Sequence, residues 1–492
     1  MTIDIRLGDC LDLLKSFPDN HFDACVTDPP YGLEFMGKEW DRLGITKASP
    51  IPRPGNIGGF ADGNKPSFER VRRYLPEMQA WHQRWADEIL RVLKPGAHLL
   101  AFGGTRTSHR LVCALEDAGF EIRDTVVWLY GSGFPKSLDV SKAIDRHLGA
   151  ERPIVGKLTG RGANPRVDFR GGRFHAAANL PSADFSDITG PATDESAAWS
   201  GWGTALKPAY EPIILARKPL DGTVAENVLK WGVGGLNIDA TRISGLAGDG
   251  NWGGTTAARI YDGGWDSTQK PNLVQNTLGR WPANVLLDEE AARQLDAQTG
   301  ELKSGEGAFK RNSAMGYKGN AYGKESRAVG TPMLSYGDSG GASRFFYCAK
   351  ADRDERERGL ESLPIRERTT PMAGRGQPGL KCKKCGRWKV SGNPCVCPEP
   401  EFEPSSFDRP AYRNTHPTVK PMDLMRYLVR LVTPPAGTII DPFAGSGTTL
   451  IAAQLEGFSA VGVEKESEYV EIARARIRGW FPLESSSETR TT

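Results

Sequence analysis

The sequence predicts an α/β protein in which both ends of the chain contribute to one doubly wound sheet, with a large region inserted between them. Three observations support this prediction. Both ends alternate short apolar strand patterns with amphipathic helix patterns, and such units form a parallel sheet covered by helices on both faces. Glycine and proline concentrate in the middle, between about residues 156 and 341 and again around 374–400, which indicates long loops. Neither end alone has enough strands for a complete domain.

The N-terminal end, residues 1–130, begins the alternation. Its longest helix pattern has one apolar face formed by Trp81, Trp85, Ile89 and Val92, which recur at helical spacing, and Lys94-Pro95-Gly96 ends it. The predicted elements in chain order are the strand Asp23–Thr27, this helix, the strand Ala97–Phe102, the helix Ser108–Ala118 and the strand Glu121–Trp128.

The C-terminal end, residues 403–482, resumes the alternation. Its predicted elements are the strand Thr438–Asp441, the helix Thr448–Leu455, the strand Ser459–Glu464 and a helix from Glu468 to Ile477. The polar residues 483–492 are predicted to be a disordered tail.

Size and composition place the chain among soluble globular proteins of two or three domains. It has 492 residues, of which 39% are hydrophobic and 25% charged, and a net charge of +3 that by itself says little about nucleic acid. No segment approaches the roughly 18 apolar residues of a membrane span, and Met1–Arg6 lacks the apolar core of a signal peptide. We therefore expect a cytoplasmic protein with no membrane partner. Its eight cysteines are then thiols or metal ligands rather than disulfides.

The first motif that carries chemistry is Asp28-Pro29-Pro30-Tyr31, directly after a predicted strand. Proline has no N–H, so the turn presents a carboxylate and carbonyl oxygens, all hydrogen-bond acceptors, beside an aromatic ring. This set suits the exocyclic amino group of a nucleobase. The Asp28 carboxylate and the Pro29 carbonyl would accept its two hydrogens, and Tyr31 would stack on the base. The plain structural interpretation is a proline-rich turn after a core strand.

The second motif is Asp441-Pro442-Phe443-Ala444-Gly445-Ser446-Gly447, between a strand and a helix. Its two glycines allow a ligand to approach the backbone closely. Glu464 ends the next strand, 23 positions after Asp441, near the spacing of about 20 residues at which an acid reaches ribose hydroxyls in dinucleotide folds. No Gly-Lys-Ser/Thr is present, and Leu450 stands where the dinucleotide fingerprint has its third glycine. A nucleoside ligand without phosphates fits these absences, and any other nucleotide-type site is the alternative for this motif alone.

Together the motifs resemble those of the DNA amino-methyltransferases of bacterial and phage restriction–modification systems, in their permuted β-type order. That order is a (D/N/S)PP(Y/F) motif, a target-recognition region, and then an FxGxG cofactor motif. Here DPPY stands at 28–31 and FAGSG at 443–447, with Gly8-Asp9-Cys10 and the HPTVKP segment at 416–421 as further family elements. The similarity covers about the first 130 and the last 80 residues. It implies a Rossmann-like methyltransferase sheet in a bacterial host or a phage-infected cell.

The resemblance also implies roles for individual residues. Asp28, Pro29, Pro30 and Tyr31 would bind and orient the base, and the methyl donor would be S-adenosylmethionine. Its site would comprise Asp9, Thr418, Lys420, Asp441, Phe443, Gly445, Gly447 and Glu464. The amine would attack the sulfonium methyl directly, helped mainly by positioning. No Pro-Cys pair lies near the catalytic turn, which argues against cytosine C5 chemistry through a thiolate. Double-stranded DNA is the implied substrate, and a cognate restriction nuclease and a homodimer are the partners common in the family.

Aspartate as the first residue of the catalytic motif favours adenine N6, by family tendency. Cytosine N4 is the main alternative, and an RNA base is another. A protein amide is disfavoured, because the members that modify one have asparagine at this position and an unpermuted motif order. Outside the family, a nucleotide-dependent oxidoreductase would leave DPPY unexplained. An inactive DNA-binding module would have no use for the intact Asp28 and Glu464.

Residues 131–375 are expected to form a loop-rich target-recognition region. The glycine-rich stretch Lys157–Arg173 has a single acid, Asp168, and its arginines suit contacts to phosphates and to guanine edges. These candidate DNA-binding residues are Arg161, Arg166, Arg170 and Arg173. The plain alternative for each arginine is a solvated loop.

Residues 376–402 are expected to form a small, ribbon-like zinc-binding module. Four cysteines fall within 16 positions: Cys382, Cys385, Cys395 and Cys397. Four thiolates favour tetrahedral Zn²⁺. The second pair is CxC, which departs from the common ribbon spacing, so reduced loop thiols are the alternative. The other four cysteines are expected to be small hydrophobic residues of the core: Cys10, Cys25, Cys113 and Cys348.

Overall fold

The structure is a computed structural model of the whole chain. It describes residues 1–32, 68–133, 137–158, 186–243, 279–303, 306–310, 315–316, 326–327, 332–336, 339–350, 354–365, 380–382, 402–404 and 413–482.

The described residues form one nine-stranded sheet that joins both ends of the chain. The order across the sheet is β1-β9-β8-β2-β3-β5-β4-β6-β7. Its strands, numbered along the chain, are β1 (Ile3–Leu7), β2 (Phe22–Thr27), β3 (Leu93–Phe102), β4 (Glu121–Leu129), β5 (Tyr210–Arg217), β6 (Val285–Asp288), β7 (Tyr347–Ala349), β8 (Thr438–Asp441) and β9 (Ser459–Glu464). The C-terminal strands β8 and β9 insert between β1 and β2, which confirms that the two ends combine into one sheet.

The sheet also takes strands from the middle of the chain, and here the prediction is corrected. β5, β6 and β7 come from residues 131–375, so the two ends alone do not complete the sheet. β5 runs antiparallel to both of its neighbours, β3 and β4, while the other pairs are parallel. The sheet is therefore mixed rather than wholly parallel. β5 is buried from Pro212 to Arg217, and a strand buried on both faces has no alternation of polar and apolar residues to reveal it.

Helices cover both faces of the sheet. In chain order the helices of the described residues are α1 (Cys10–Leu13), α2 (Phe68–Val92), α3 (Ser108–Asp117), α4 (Val140–Leu148), α5 (Asp194–Ala198), α6 (Val224–Trp231), α7 (Glu289–Thr299), α8 (Asp354–Glu357), α9 (Met422–Val432), α10 (Thr448–Leu455) and α11 (Ser467–Trp480). Successive residues of β3 divide between two cores. Leu99 and Ala101 pack with α2 and α3, while Leu100 and Phe102 pack with α9 and α10. Strand side chains alternate between the two faces of a sheet, so the two helix groups lie on opposite faces. The sheet is therefore doubly wound, as predicted.

The elements predicted for the two ends are present. α10, β8 and β9 have the predicted bounds, and Trp85, Ile89 and Val92 of α2 are buried. α2 ends at Val92, and Lys94-Pro95-Gly96 lies inside β3, where the pairing with β2 shifts register. α11 extends past its predicted end to Trp480.

Shorter elements lie outside the sheet. Paired strands are Ile154–Leu158 with Ser186–Thr189, Leu302–Lys303 with Ser339–Gly340, Glu306–Lys310 with Pro332–Tyr336, Met315–Gly316 with Ser326–Arg327, and Leu380–Cys382 with Phe402–Pro404. Three-ten turns are Leu14–Ser16, Asp239–Thr241 and Ala342–Phe345. Among the described helices, none combines the length and the apolar character needed to cross a membrane.

Candidate active site

Four strand ends bring the predicted motifs to one edge of the sheet. β1, β2, β8 and β9 are parallel, so their carboxyl ends lie at the same edge, where ligands bind in open α/β sheets. Asp9 follows β1, Asp28 follows β2, and Asp441 and Glu464 end β8 and β9. The Thr27 hydroxyl donates a hydrogen bond of 2.7 Å to Asp441 Oδ1. This bond ties the strand before the DPPY turn directly to the strand before the FAGSG turn.

Both carboxylate oxygens of Asp28 have partners. The Tyr31 hydroxyl donates to Asp28 Oδ1 over 2.8 Å, and Lys420 Nζ lies 2.8 Å from Asp28 Oδ2. The Tyr31 ring packs against the backbone of Gly104, where an added Cβ would lie 3.2 Å from the ring. Burial and the charges of Asp28 and Glu211 hold the pKa of Tyr31 well above its usual range. The hydroxyl therefore keeps its proton and acts as a donor to Asp28.

Lys420 is the centre of a three-charge cluster with Asp28 and Glu211. Its Nζ lies 2.8 Å from Asp28 Oδ2 and 3.1 Å from Glu211 Oε2. It also lies 3.4 Å from the Tyr31 hydroxyl oxygen and 4.7 Å from the centre of the Phe102 ring. Only 9% of the Lys420 side chain is exposed. Burial alone would lower the pKa of this ammonium, but the charges of Asp28 and Glu211 raise it above its usual range. Lys420 is therefore protonated, and the two carboxylates stabilise its positive charge.

Two features of this cluster differ from what the sequence suggests. The resemblance implies that Lys420 belongs to the cofactor site, whereas its ammonium contacts the DPPY turn. Glu211 is absent from the predicted site residues. It reaches this edge because β5 runs opposite to β3 and β4 and so begins where they end. The only sequence signal for Glu211 is its position as an acid just before the buried residues of β5. That position points to the site only when the direction of β5 in the sheet is known.

The turn between β8 and α10 has the backbone shape that its glycines predict. Gly445 and Gly447 have φ angles of +51° and +79°, a region that favours glycine. A Cβ on Gly445 would lie 2.6 Å from His416 Nε2, so the segment at 416–421 packs against this turn. The Gly445 N–H donates to Glu464 Oε2 over 2.8 Å. The turn and the acid at the end of β9 therefore form one unit.

Two carboxyl groups of this unit titrate close to neutral pH. Burial raises the pKa of Glu464 to about 7, although hydrogen bonds from the N–H groups of Glu466 and Gly445 oppose the shift. Burial also raises the pKa of Asp441 to about 6, opposed by hydrogen bonds from the side chains of Thr449 and Thr27. Buried acids with shifted pKa values at a strand edge are typical of a functional site.

Arg476 on α11 supports the turn through hydrogen bonds, and it is absent from the site residues that the sequence predicts. Its side chain is 1% exposed. The guanidinium donates to the Ser446 carbonyl, the Ser446 hydroxyl and the Thr448 hydroxyl over 2.6, 2.9 and 2.9 Å, and to the Glu355 carbonyl over 3.3 Å. The last contact joins the FAGSG turn to α8, which belongs to the middle of the chain. A buried arginine 28 to 30 residues from its partners has no local pattern that would reveal this role.

Three other residues predicted for the cofactor site lie near the same turn or on adjacent segments. Phe443 packs against Trp81 and Trp85 of α2, with ring centres 5.8 and 5.5 Å apart. Asp9 is the N-cap of α1, and its second oxygen lies 3.1 Å from Lys465 Nζ. Thr418 is half-buried on the segment that also carries Lys420.

Two sets of predicted residues lie outside the described part of the chain. They are Arg161, Arg166, Arg170 and Arg173 of the basic loop, and Cys385, Cys395 and Cys397 together with the side chain of Cys382. Within the described ranges, no group of three or more His, Cys, Asp and Glu side chains is arranged to hold a metal ion. Cys10 and Cys25 are buried, whereas Cys113 and Cys348 are half-buried. Burial raises the pKa of Cys10 to about 12, as in an inert thiol of the core.

Comparison with known proteins adds independent information. The family model described as DNA methylase (N6_N4_Mtase) matches residues 22–151 and 262–475. The Type II methyltransferase M.HindIII of Haemophilus influenzae is 26% identical over 289 residues, which cover 54% of this chain and 77% of that protein. The Type II methyltransferase M.BamHI of Bacillus amyloliquefaciens is 33% identical over 95 residues, 19% of this chain and 16% of that protein. The solved structure of PvuII DNA methyltransferase (cytosine-N4-specific) aligns over 99% of this chain and 89% of that one, with 12% identity and a TM-score of 0.38.

Proposed function

The chain belongs to the family of N6/N4 DNA methylases, and from this membership we propose that it transfers a methyl group from S-adenosylmethionine to N6 of an adenine flipped out of double-stranded DNA. The observation that carries the proposal is the shared sheet edge of the DPPY and FAGSG turns, joined by the 2.7 Å hydrogen bond between Thr27 and Asp441. A direct transfer requires the two reactants to be held side by side. Neighbouring strand ends provide one place for each.

The FAGSG half of this edge fits S-adenosylmethionine. Gly445 and Gly447 leave two positions of the turn without side chains, and the mostly buried Glu464 adjoins it through the Gly445 N–H. An acid in this position suits the hydroxyls of a ribose, and two carboxyl groups, with Asp441, suit a cationic sulfonium. When bound, S-adenosylmethionine supplies a methyl group on a positively charged sulfur. We assign Asp9, Thr418 and Phe443 to the same site.

The DPPY half fits the target amine. In the proposed mechanism the Asp28 carboxylate and the Pro29 carbonyl accept the two amino hydrogens, which directs the nitrogen lone pair toward the methyl group, and Pro30 shapes the turn. The nitrogen would gain positive charge as its bond to the methyl carbon forms and the bond from that carbon to sulfur breaks, and the carboxylate would stabilise that charge. The methylated amine, now acidic, would then lose its proton to water. Asp28 Oδ1 accepts from the Tyr31 hydroxyl over 2.8 Å, and we infer that Tyr31 moves away from Asp28 to stack on the base when it binds.

Adenine is proposed over cytosine because the catalytic motif begins with an aspartate, Asp28. This is a tendency of the family, and the family covers both N6 of adenine and N4 of cytosine. Cytosine N4 is therefore the second candidate. Both amines present two hydrogens to the same acceptors, so the modified base itself has to be measured.

Nucleoside mass spectrometry of DNA from cells that express the protein tests the function. The wild type is expected to produce N6-methyladenine, and the Asp28→Ala variant none. Detection of N4-methylcytosine would show that cytosine is the target base instead of adenine. The absence of any methylated base would refute the proposed function. Calorimetric titration with S-adenosylmethionine separates the two halves of the site. The Asp28→Ala variant is expected to keep the wild-type affinity for the cofactor. A loss of that affinity would place Asp28 in the cofactor site instead.

We also propose that the basic loop contacts DNA and that the four-cysteine cluster holds structural zinc. Joint alanine substitution of Arg161, Arg166, Arg170 and Arg173 should weaken DNA binding and flatten its dependence on salt, and an unchanged salt dependence would remove the loop from the interface. Metal analysis of the wild type and of a Cys382→Ser, Cys385→Ser double variant tests the zinc. Wild-type protein without zinc would end that proposal.

A further inference from the structure

We propose that Glu211 is a positioning residue of the transfer reaction. By binding the Lys420 ammonium, it holds the Asp28 carboxylate in place for the target amine and leaves the site with one net negative charge. This inference rests on the proposed function, and it adds a residue that belongs to neither motif.

The geometry of the Lys420 ammonium supports this role. An ammonium has three N–H donors, and Lys420 Nζ has three oxygen neighbours, on Asp28, Glu211 and Tyr31, at 2.8, 3.1 and 3.4 Å. Its side chain is 9% exposed, so solvent has little access to it. Its hydrogen bond goes to the Tyr31 hydroxyl, and the two carboxylates balance its charge from within ion-pair distance. Without the Glu211 carboxylate that balance is lost, and the ammonium and the Asp28 carboxylate would shift together.

The net charge of the cluster of Asp28, Lys420 and Glu211 gives this acid a second effect on the reaction. Asp28 and Lys420 alone form a neutral pair, whereas Glu211 gives the cluster a net charge of −1. The attacking nitrogen becomes cationic as the methyl group arrives, and negative charge fixed beside it stabilises that state. Glu211 is 24% exposed and Asp28 21%, so solvent screens their charges only partly.

The fold explains why this acid has a fixed position. Glu211 is the second residue of β5, and it pairs with Trp128 of β4, so hydrogen-bonded strands hold its backbone. Six residues further along, Arg217 forms an ion pair of 2.6 Å with Glu121 of β4. At about 3.3 Å per residue, that pair lies roughly 20 Å from Glu211. It joins the same two strands without touching the site, and it therefore provides a matched control.

The test compares Glu211→Gln, Glu211→Asp and Glu121→Gln in steady-state DNA methylation. Glu211→Gln keeps the size of the side chain and removes its charge, and we expect kcat to fall about 10- to 100-fold, as for a misplaced catalytic group. The affinity for S-adenosylmethionine, measured by calorimetry, is expected to stay close to that of the wild type. Glu211→Asp restores the charge with a shorter reach and should recover part of kcat. Glu121→Gln should keep the wild-type kcat.

Two results would overturn the inference. One is a wild-type kcat in Glu211→Gln. The other is a loss of activity in Glu211→Gln that is matched by a loss of cofactor affinity or of folded protein, measured by thermal melting, because Glu211 would then be a structural residue. Failure of the proposed function would be seen in a different measurement, because the wild-type protein would then methylate no base. That result can be recognised without any Glu211 variant.

Discussion

The pKa of Glu464 predicts that cofactor binding depends on pH near neutrality. Burial raises the pKa of this carboxyl group to about 7 in the protein without ligand. An ionised carboxylate accepts hydrogen bonds from ribose hydroxyls, whereas its protonated form has lost part of that capacity. A ligand that binds only the ionised form loses affinity tenfold for each pH unit below the pKa, or about 1.4 kcal/mol. S-adenosylmethionine should therefore bind about tenfold more weakly at pH 6 than at pH 8.

The stability of the unliganded protein should respond to pH in the opposite direction. The pKa of Glu464 is about 7 in the folded chain, against an ordinary value of 4.5, so the folded state binds the proton more tightly. This group therefore destabilises the fold at pH values above both pKa values, and the penalty disappears as the pH falls from about 7 toward 4.5. The full difference corresponds to about 3 kcal/mol in the free energy of unfolding.

Isothermal titration calorimetry with S-adenosylmethionine at pH 6, 7 and 8 measures the binding effect, with Glu464→Gln as the control. The variant has no titrating group at this position and keeps only the Asp441 carboxyl group, whose pKa is about 6, so its weaker affinity should change only about twofold between pH 6 and 8. A wild-type dissociation constant that stays constant from pH 6 to 8 would refute the reasoning. An equal pH dependence in the variant would also refute it, because another group would then be responsible.

Two further predictions concern the two turns. Tyr31→Phe removes the hydroxyl that occupies Asp28 Oδ1 but keeps the stacking ring, so KM for DNA should fall by up to about tenfold, the worth of one net hydrogen bond. Tyr31→Ala removes the ring and should raise KM, since stacking contributes about 1–3 kcal/mol per base; equal steady-state constants for the two variants would contradict the stacking role. Gly445→Ala places a methyl group 2.6 Å from His416 Nε2 on a backbone with φ of +51°, at a conformational cost of about 1–2 kcal/mol. Calorimetry should show weaker cofactor binding and thermal melting a lower midpoint. Gly235→Ala, which meets no atom within 4 Å, is the control that should change neither.

Much of the fold could be predicted from the sequence, because the elements at both ends have local signals. Helical spacing predicts α2, and Gly457 predicts the end of α10. β5 cannot be predicted in this way, because its buried residues do not alternate and because it lies in a region rich in glycine and proline. Its reversed direction depends on pairing with β3 and β4, which are about a hundred residues earlier in the chain. No local pattern contains that information.

The sequence by itself determined which chemical groups the two turns present. Two prolines remove backbone donors from the DPPY turn, two glycines open the FAGSG turn, and the acid of Glu464 ends the next strand. These properties follow from covalent structure and from spacing over a few residues. Only the tertiary structure decided that the Lys420 ammonium contacts Asp28, which lies 392 positions earlier, and that Glu211 joins them from a reversed strand. Contacts of this kind depend on the order and direction of strands from distant parts of the chain, and these are set by packing of the whole sheet.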